Sequence, residues 1–443
     1  MKKRIIASTF VLLFCGTFAL AQEETKGTTD EKVAEVKGAV DGINEQMAAM
    51  QSTLDALAKI KFTGYLQEQF QVADSDAAPS FAGGNFASGV HSRFMLRRGR
   101  MKLTYDNVLT QYVLQIDVAQ TGLAIKDAYI TVKEPWMKAF SLTTGVFDRP
   151  FGFEISYSSS NREAPERTRM YQTLFPGERD MGAKIEYATE SGPLSFLNFK
   201  GGLFNGTREN TVENDNYKDF IGRLGATLPF SEQNFEIDGG VSVYSGKVNV
   251  GKGNRVYKMS GGAYSIDSTT TLTKGYYADR TYIGADAQLY YDLPVIGGMS
   301  LRGELITGEQ PGSNNTNWQT ANTFYNAAGN MYRRKFVGYY LNYVQNVGDK
   351  NQFVLKYDVF DPNTDISASD AALNGSNFTV GDVKFTTLGL GWVYHWDGNV
   401  KFTLYYDMVS NEKVPSTVTA ASLKPYVVDL KDNVLTLRAQ YKF

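Results

Sequence analysis

Val434-Leu-Thr-Leu-Arg-Ala-Gln-Tyr-Lys-Phe443 closes the chain, and its two-residue period decides the fold. Leu435, Leu437, Ala439, Tyr441 and Phe443 share one face of a strand, while Thr436, Arg438, Gln440 and Lys442 share the other. A strand of a soluble sandwich shows the same alternation. A soluble domain, however, rarely finishes on an aromatic residue with no polar tail behind it. A strand with lipid on one face and water on the other needs this pattern along its whole length.

The pattern repeats upstream. From Lys61 onward, segments of about ten residues alternate in the same way, beginning with Phe62–Val72, Phe94–Tyr105, Tyr112–Val118, Ala124–Lys133 and Phe140–Phe147. Eleven more follow, among them Met181–Tyr187, Tyr282–Tyr291, Phe353–Phe360 and Val400–Met408, for about sixteen in all. Within Val400–Met408, Phe402, Leu404, Tyr406 and Met408 face one way and Lys401, Thr403, Tyr405 and Asp407 the other. A one-residue slip would set those charges in lipid, at roughly 2–4 kcal/mol for each Lys or Arg at mid-membrane. Connections alternate between short ones, such as Asp397-Gly-Asn399, and mostly long ones, such as 73–92, 149–179, 246–280 and 410–431. Short turns on one rim and long loops on the other are the habit of outer-membrane barrels. The expected fold is an all-β transmembrane barrel of about sixteen antiparallel strands over residues 60–443, preceded by an N-terminal coiled-coil helix.

Composition agrees. The 443 residues hold 27 Tyr, 27 Phe and 42 Gly but only 12 Pro, and the mean hydropathy of −0.30 gives no hint of a helical membrane protein. A barrel strand is only half apolar, so bulk hydropathy misses it. Residues 1–21 read as a signal peptide, with Lys2, Lys3 and Arg4, an apolar run Ile5–Phe18, and Ala19-Leu20-Ala21 before Gln22. The only cysteine, Cys15, would leave with it, so no disulfide, thiolate metal site or cysteine nucleophile is expected. Loss of those three basic residues takes the formal charge from −2 to −5, a balance that does not suggest a nucleic-acid partner.

A polar segment, 22–30, precedes a heptad series over 31–58: Val33, Val36, Val40, Ile43, Met47, Met50, Leu54 and Leu57, spaced 3-4-3-4-3-4-3. A single amphipathic helix on an apolar surface is the plainer alternative, but the spacing favours helices zipped to one another. Val and Ile at both seam positions are compatible with three strands, so a homotrimeric stalk is expected on the short-turn, periplasmic side.

Charged side chains carry the candidate chemistry. Arg98, Arg100 and Lys102 share an inward face at two-residue spacing, stacked about 7 Å apart. Such a ladder offers a dehydrating anion successive charge-assisted partners. The alternative is wall arginines paired with inward acids such as Asp117 and Asp127. Arg97 has the outward parity, which places it at the rim or on a bulge. Further inward cations include Arg223 and Arg302, offset by acids such as Asp286 and Glu304. The 149–179 connection, with Arg149, Arg162, Glu163, Glu166, Arg167 and Arg169, is the candidate to fold into the lumen and constrict it. An external loop held by its own ion pairs is the competing reading. The two histidines, His91 and His395, form no catalytic or metal-binding spacing, and no phosphate-binding loop or dinucleotide fingerprint appears. No enzyme activity, cofactor or metal is expected.

Several segments resemble the phosphate-selective porin O and P family. Arg97-Arg-Gly-Arg-Met-Lys-Leu103 is similar to its arginine-rich second strand, and Gly145-Val-Phe-Asp-Arg-Pro-Phe-Gly-Phe-Glu154 to its G-x-F-x-x-P-F-G-x-E segment. Arg179-Asp-Met-Gly182, Gly202-Leu-Phe-Asn-Gly206 and Lys218-Asp-Phe-Ile-Gly-Arg223 match further family segments in order, and the terminal Phe443 resembles the sorting strand of outer-membrane barrels. The resemblance implies a sixteen-stranded trimeric porin whose constriction binds anions, with Arg98, Arg100 and Lys102 as the ladder. Two departures matter: Asp148 stands where the family segment often has Lys, and the chain is mildly acidic. The expected function is therefore a bacterial outer-membrane diffusion channel for small ions and solutes, phosphate among them, with at most a modest anion preference. A phosphate-selective channel and a structural or adhesive barrel are the alternatives.

Overall fold

The computed structural model describes residues 29–120, 122–250, 254–267, 277–312 and 330–443. The segment read as a signal peptide and the first part of the segment read as polar lie outside the described residues. Two units follow one another, ending at Lys59 and beginning at Ile60.

The first unit is one helix, α1 (Thr29–Ala58), which starts inside the segment read as polar. Its eight seam side chains are all between 48% and 62% exposed, so the apolar stripe is uncovered among the described residues. Gly38 and Gly42 sit in open space on the helix.

The second unit is a closed antiparallel wall. Its strands are β1 (Ile60–Ala73), β2 (Ser92–Asp106), β3 (Thr110–Ala119), β4 (Gly122–Lys133), β5 (Phe140–Asp148), β6 (Arg179–Ala188), β7 (Leu197–Phe204), β8 (Asp219–Phe230) and β9 (Phe235–Asn249). A small hairpin, β10 (Val256–Ser260) and β11 (Ala263–Ile266), stands in the next connection. The wall then resumes with β12 (Tyr277–Leu293), β13 (Gly297–Gly312), β14 (Met331–Val347), β15 (Asn351–Asp361), β16 (Phe385–His395), β17 (Val400–Asn411) and β18 (Val434–Lys442). β9 pairs directly with β12, leaving the hairpin outside a sixteen-stranded ring. β18 pairs with β1, Leu66 opposite Tyr441 and Phe70 opposite Leu437, and this joint closes the barrel.

Every segment read as a strand from the sequence is one. The strands on the long-loop side run further than the alternation showed: β9 continues to Asn249, and β12 and β14 have 17 residues each. At a rise of about 3.3 Å per residue such strands are far taller than the roughly 25 Å apolar band of a membrane barrel. Above that band both faces meet water, and the period-two signal fades. The wall is lower at β3, with 10 residues, and at β7, with 8.

Burial is inverted relative to a soluble sandwich. Leu435, Leu437 and Tyr441 are exposed on the outside, whereas Thr436, Arg438 and Gln440 between them are buried inside. An exterior that is apolar and an interior that is polar suit lipid without and water within. Trp136, Trp392 and Trp396 are exposed at the short-turn end, where an interfacial aromatic girdle belongs. The largest buried apolar cluster lies inside the ring, where the 149–178 connection meets inward aromatics of the wall.

Candidate functional site

The 149–178 connection folds into the barrel, and two different chemistries hold it there. On one side the anchorage is apolar. Phe151, Ile155, Met170, Tyr171, Leu174 and Phe175 of the loop, several of them on the short helix α2 (Arg169–Leu174), pack against wall side chains that include Tyr244, Tyr282, Phe336 and Phe360. At its centre the Glu304 carboxylate of β13 accepts hydrogen bonds from the Phe153 and Glu154 backbone N–H groups at 2.7 Å each and from the Tyr340 hydroxyl at 2.6 Å, with Tyr171 as a fourth donor. Gly152 makes this turn possible. Its φ is +60°, and a Cβ there would run into the Tyr171 hydroxyl and Glu304.

On the other side the anchorage is ionic. Glu166 accepts from Arg97 at 2.8 Å, Arg98 at 2.7 Å and Arg438 at 2.8 Å. Glu163 pairs with Arg302 at 2.8 Å, and Glu154 with Lys356 at 3.3 Å. Carbonyls of Ser159 and Ser160 accept from Gln67 and Gln440, both at 2.9 Å, and that of Arg162 accepts from Lys401 at 3.0 Å. Burial alone would push the Glu166 carboxyl up, but Arg97, Arg98, Arg438 and Arg162 outweigh it and hold the group well below the usual carboxylate range. Burial opposes ionisation of Glu178 too, and Arg167, Lys126, Arg179 and Arg100 likewise hold it well below that range. Burial instead pushes the Arg162 guanidinium down, with Arg167 and Arg98 adding to the effect.

The candidate residues therefore divide by what they touch. Glu163 and Glu166 take up wall cations. Arg167 holds the loop's own shape, donating to the Glu154 carbonyl at 2.8 Å, the Ile155 carbonyl at 2.8 Å and the Glu178 carboxylate. Arg149 donates to the Pro176 and Arg179 carbonyls at 3.1 Å, and Arg162 to the Pro165 carbonyl at 3.3 Å. Arg169 is sandwiched between the rings of Phe81 and Phe385, at 4.2 and 4.0 Å. Arg223 pairs with Asp286 at 2.5 Å. In the ladder, Arg98 is taken by Glu166, and Arg100 pairs with Asp117 of β3 at 3.0 Å, the wall pairing that competed with the ladder reading. Lys102 faces the open lumen.

Two β-bulges re-aim charges inward, one of them at Arg97, whose outward parity pointed to the rim or a bulge. The β1–β2 register jumps from Gln67 opposite Arg98 to Glu68 opposite Leu96, so Arg97 is the extra residue and turns to Glu166 beside Arg98. The β3–β4 register jumps from Gln115 opposite Asp127 to Ile116 opposite Ile125, so Lys126 is extra and reaches Glu209 of the 205–218 connection at 2.9 Å. Lys126 and Glu209 carried no signal in the sequence. The inward glutamine row Gln67, Gln69, Gln71 did, in its two-residue spacing.

Below the loop, toward the short turns, the lumen opens into a cavity of about 1010 Å³. Eight cationic side chains, Lys102, Lys133, Lys138 and Lys442 among them, line it with four carboxylates, and two of the eight, Arg100 and Arg167, are paired with Asp117 and Glu178 just outside that lining. A second space of about 250 Å³ shares Asp148, Ser156 and Lys184 with it and adds Lys200 and Arg223. This excess of positive charge within low-dielectric walls favours hydrated anions over cations. His91 contacts Asp76 at 2.9 Å in the first external loop, and His395 contacts Gln352 at 3.1 Å.

No family model matches the chain, and no curated protein matches it. Solved structures match its fold. OprB of Pseudomonas putida superposes with a TM-score of 0.56 at 11% identity, over 88% of this chain and 96% of that one. An anion-selective porin from Comamonas acidovorans gives 0.51 at 13% identity, over 87% and 99%. The outer-membrane channel DcaP of Acinetobacter baumannii gives 0.51 at 13% identity, over 87% and 97%. At these identities the likeness is one of fold alone: a closed barrel like those of the three outer-membrane proteins.

Proposed function

We propose that this protein is an outer-membrane channel that passes small hydrophilic solutes and ions by passive diffusion, with a modest preference for anions. The observation that carries the reading is the cavity of about 1010 Å³, with Lys102, Lys133, Lys138 and Lys442 on its wall, inside a barrel whose exterior is apolar. A solute keeps most of its water in so wide a space, so the charge excess biases the traffic without binding any one ion tightly. Arg98 and Arg100, each already ion-paired, have less to offer a dehydrated phosphate than an unpaired ladder would. The resemblance of individual segments to phosphate-selective porins supports phosphate as one permeant anion. On this reading the chain assembles as a homotrimer, and α1, with its unpartnered seam, forms a periplasmic stalk.

Planar-bilayer recording tests the function. Ohmic single-channel steps are expected, with a salt-gradient reversal potential on the anion side and block by phosphate only at high concentration. A reversal potential on the cation side would refute the anion preference, and a silent bilayer would refute the channel.

A further inference from the structure

The loop is tied to most of the wall, and the place where it is not tied says where solute passes. Apolar packing joins it to β9 and β12–β15, and ionic and carbonyl contacts join it to β1, β2, β17 and β18. Among the described residues, the inward β3 side chains Gln115 and Asp117 make no direct hydrogen bond to the loop; Asp117 pairs with Arg100, which donates to the Ser159 hydroxyl of the loop at 3.3 Å. The two bulges flank this strand, Arg97 on one side holding Glu166 and Lys126 on the other holding Glu209. Glu178, which pairs with Arg167 and Arg179 and feels the charges of Lys126 and Arg100, follows Gly177 in a second left-handed conformation, with φ of +76° and then +65°. The cavity on the short-turn side reaches this level at Arg100, Gln115 and Asp127. Above it the wall is low: β3 has 10 residues, and only positions 120 and 121 separate it from β4.

We infer that solute crosses the loop through a single slot against β3, framed by the two bulge-held clasps and completed by a second external segment, residues 205–218. The inference rests on the channel reading and deepens it. The slot's charges alternate in sign (Arg100, Asp117, Lys126, Glu178), so it sieves by size, while the cationic cavity beneath it sets the ion preference. Residues 205–218 belong to the frame because Glu209 is fixed from both sides: its carboxylate is held by Lys126, and its backbone N–H donates to the Arg179 carbonyl at 3.2 Å.

The chain's one cysteine, Cys15, lies in the segment read as a signal peptide, so the mature barrel offers a background without thiols. Single cysteines at Gln115, Asp117 and Thr403 separate the routes: Gln115 is 7% exposed and the Asp117 side chain 12%, beside the cavity, whereas Thr403, an inward β17 residue away from that cavity, is 3% exposed. With a small sulfonate methanethiosulfonate reagent, Gln115→Cys and Asp117→Cys should label about tenfold faster than Thr403→Cys, by intact mass, and labelling should block current. Equal or faster labelling at Thr403→Cys, or labelling at Gln115→Cys and Asp117→Cys that leaves current intact, would overturn the slot. Mass labelling needs no conductance, so a silent bilayer counts against the channel alone. Glu209→Gln should raise single-channel conductance. An unchanged conductance would remove residues 205–218 from the frame.

Discussion

Glu166 and Arg438 are 272 positions apart in the chain and 2.8 Å apart in space. Arg438 lies on β18 and Arg98 on β2, on either side of β1, so one loop carboxylate spans the joint at which the barrel closes. The same contact places the loop and fastens the first and last strands.

Glu166→Gln leaves three arginines around a neutral amide, two of them buried. Removing one partner of a buried ion pair costs about 3–5 kcal/mol. The variant should lose its compact, heat-modifiable band on a gel at a clearly lower temperature than the parent. A melting profile like the parent's would show that the cluster does not hold the joint.

Acid should loosen the same contacts. Glu166 and Glu178 have folded-state values held well below the ordinary range, whereas in the unfolded chain they titrate near about 4.3. Their contribution is therefore complete above that unfolded value and is lost as pH falls through the depressed folded values. Thermal stability should hold from neutral pH down to about 5 and decline below about 4, and the acid limb should flatten in Glu166→Gln. An acid limb of the same slope in the variant would exclude Glu166 as its source.

Ion preference should respond to cavity lysines more than to paired arginines. Lys102→Glu combined with Lys138→Glu reverses two charges on the cavity wall and should move the salt-gradient reversal potential toward cations. Arg98→Ala should act mainly on stability, because its charge is already met by Glu166. A larger selectivity shift in Arg98→Ala than in the double lysine variant would restore the ladder as the selective element.

Gly152→Ala asks for a side chain where φ is +60° and where Tyr171 and Glu304 fill the space. The loop should release from its apolar anchorage, giving larger and noisier single-channel steps while the barrel still folds. Steps identical to the parent's would mean that the loop does not limit conductance.

Deleting residues 29–58 removes an apolar seam that is at least 48% exposed at every position. The oligomer should dissociate at lower temperature on a non-denaturing gel. A trimer of undiminished stability would deny the helix a role in assembly, since barrel walls can associate without it.

The alternation of Val434–Phe443 and its repeats was enough to place all sixteen wall strands, their inside and outside faces, and the rim that carries the long loops. That much is local: each strand meets lipid on one side and water on the other, so every pair of residues restates the rule. The charges of the 149–178 loop were visible too, but their partners were not. Whether Glu166 meets Arg438, or Lys126 meets Glu209, depends on strands brought together only when the ring closes, and on two bulges that shift register by one residue. Parity hinted at the bulge of Arg97, a charge on the apolar face, but not at the contact it makes, because the extra residue is chosen by its partner across the lumen. Sequence determined the wall; closure of that wall decided which charges remain free to meet a passing ion.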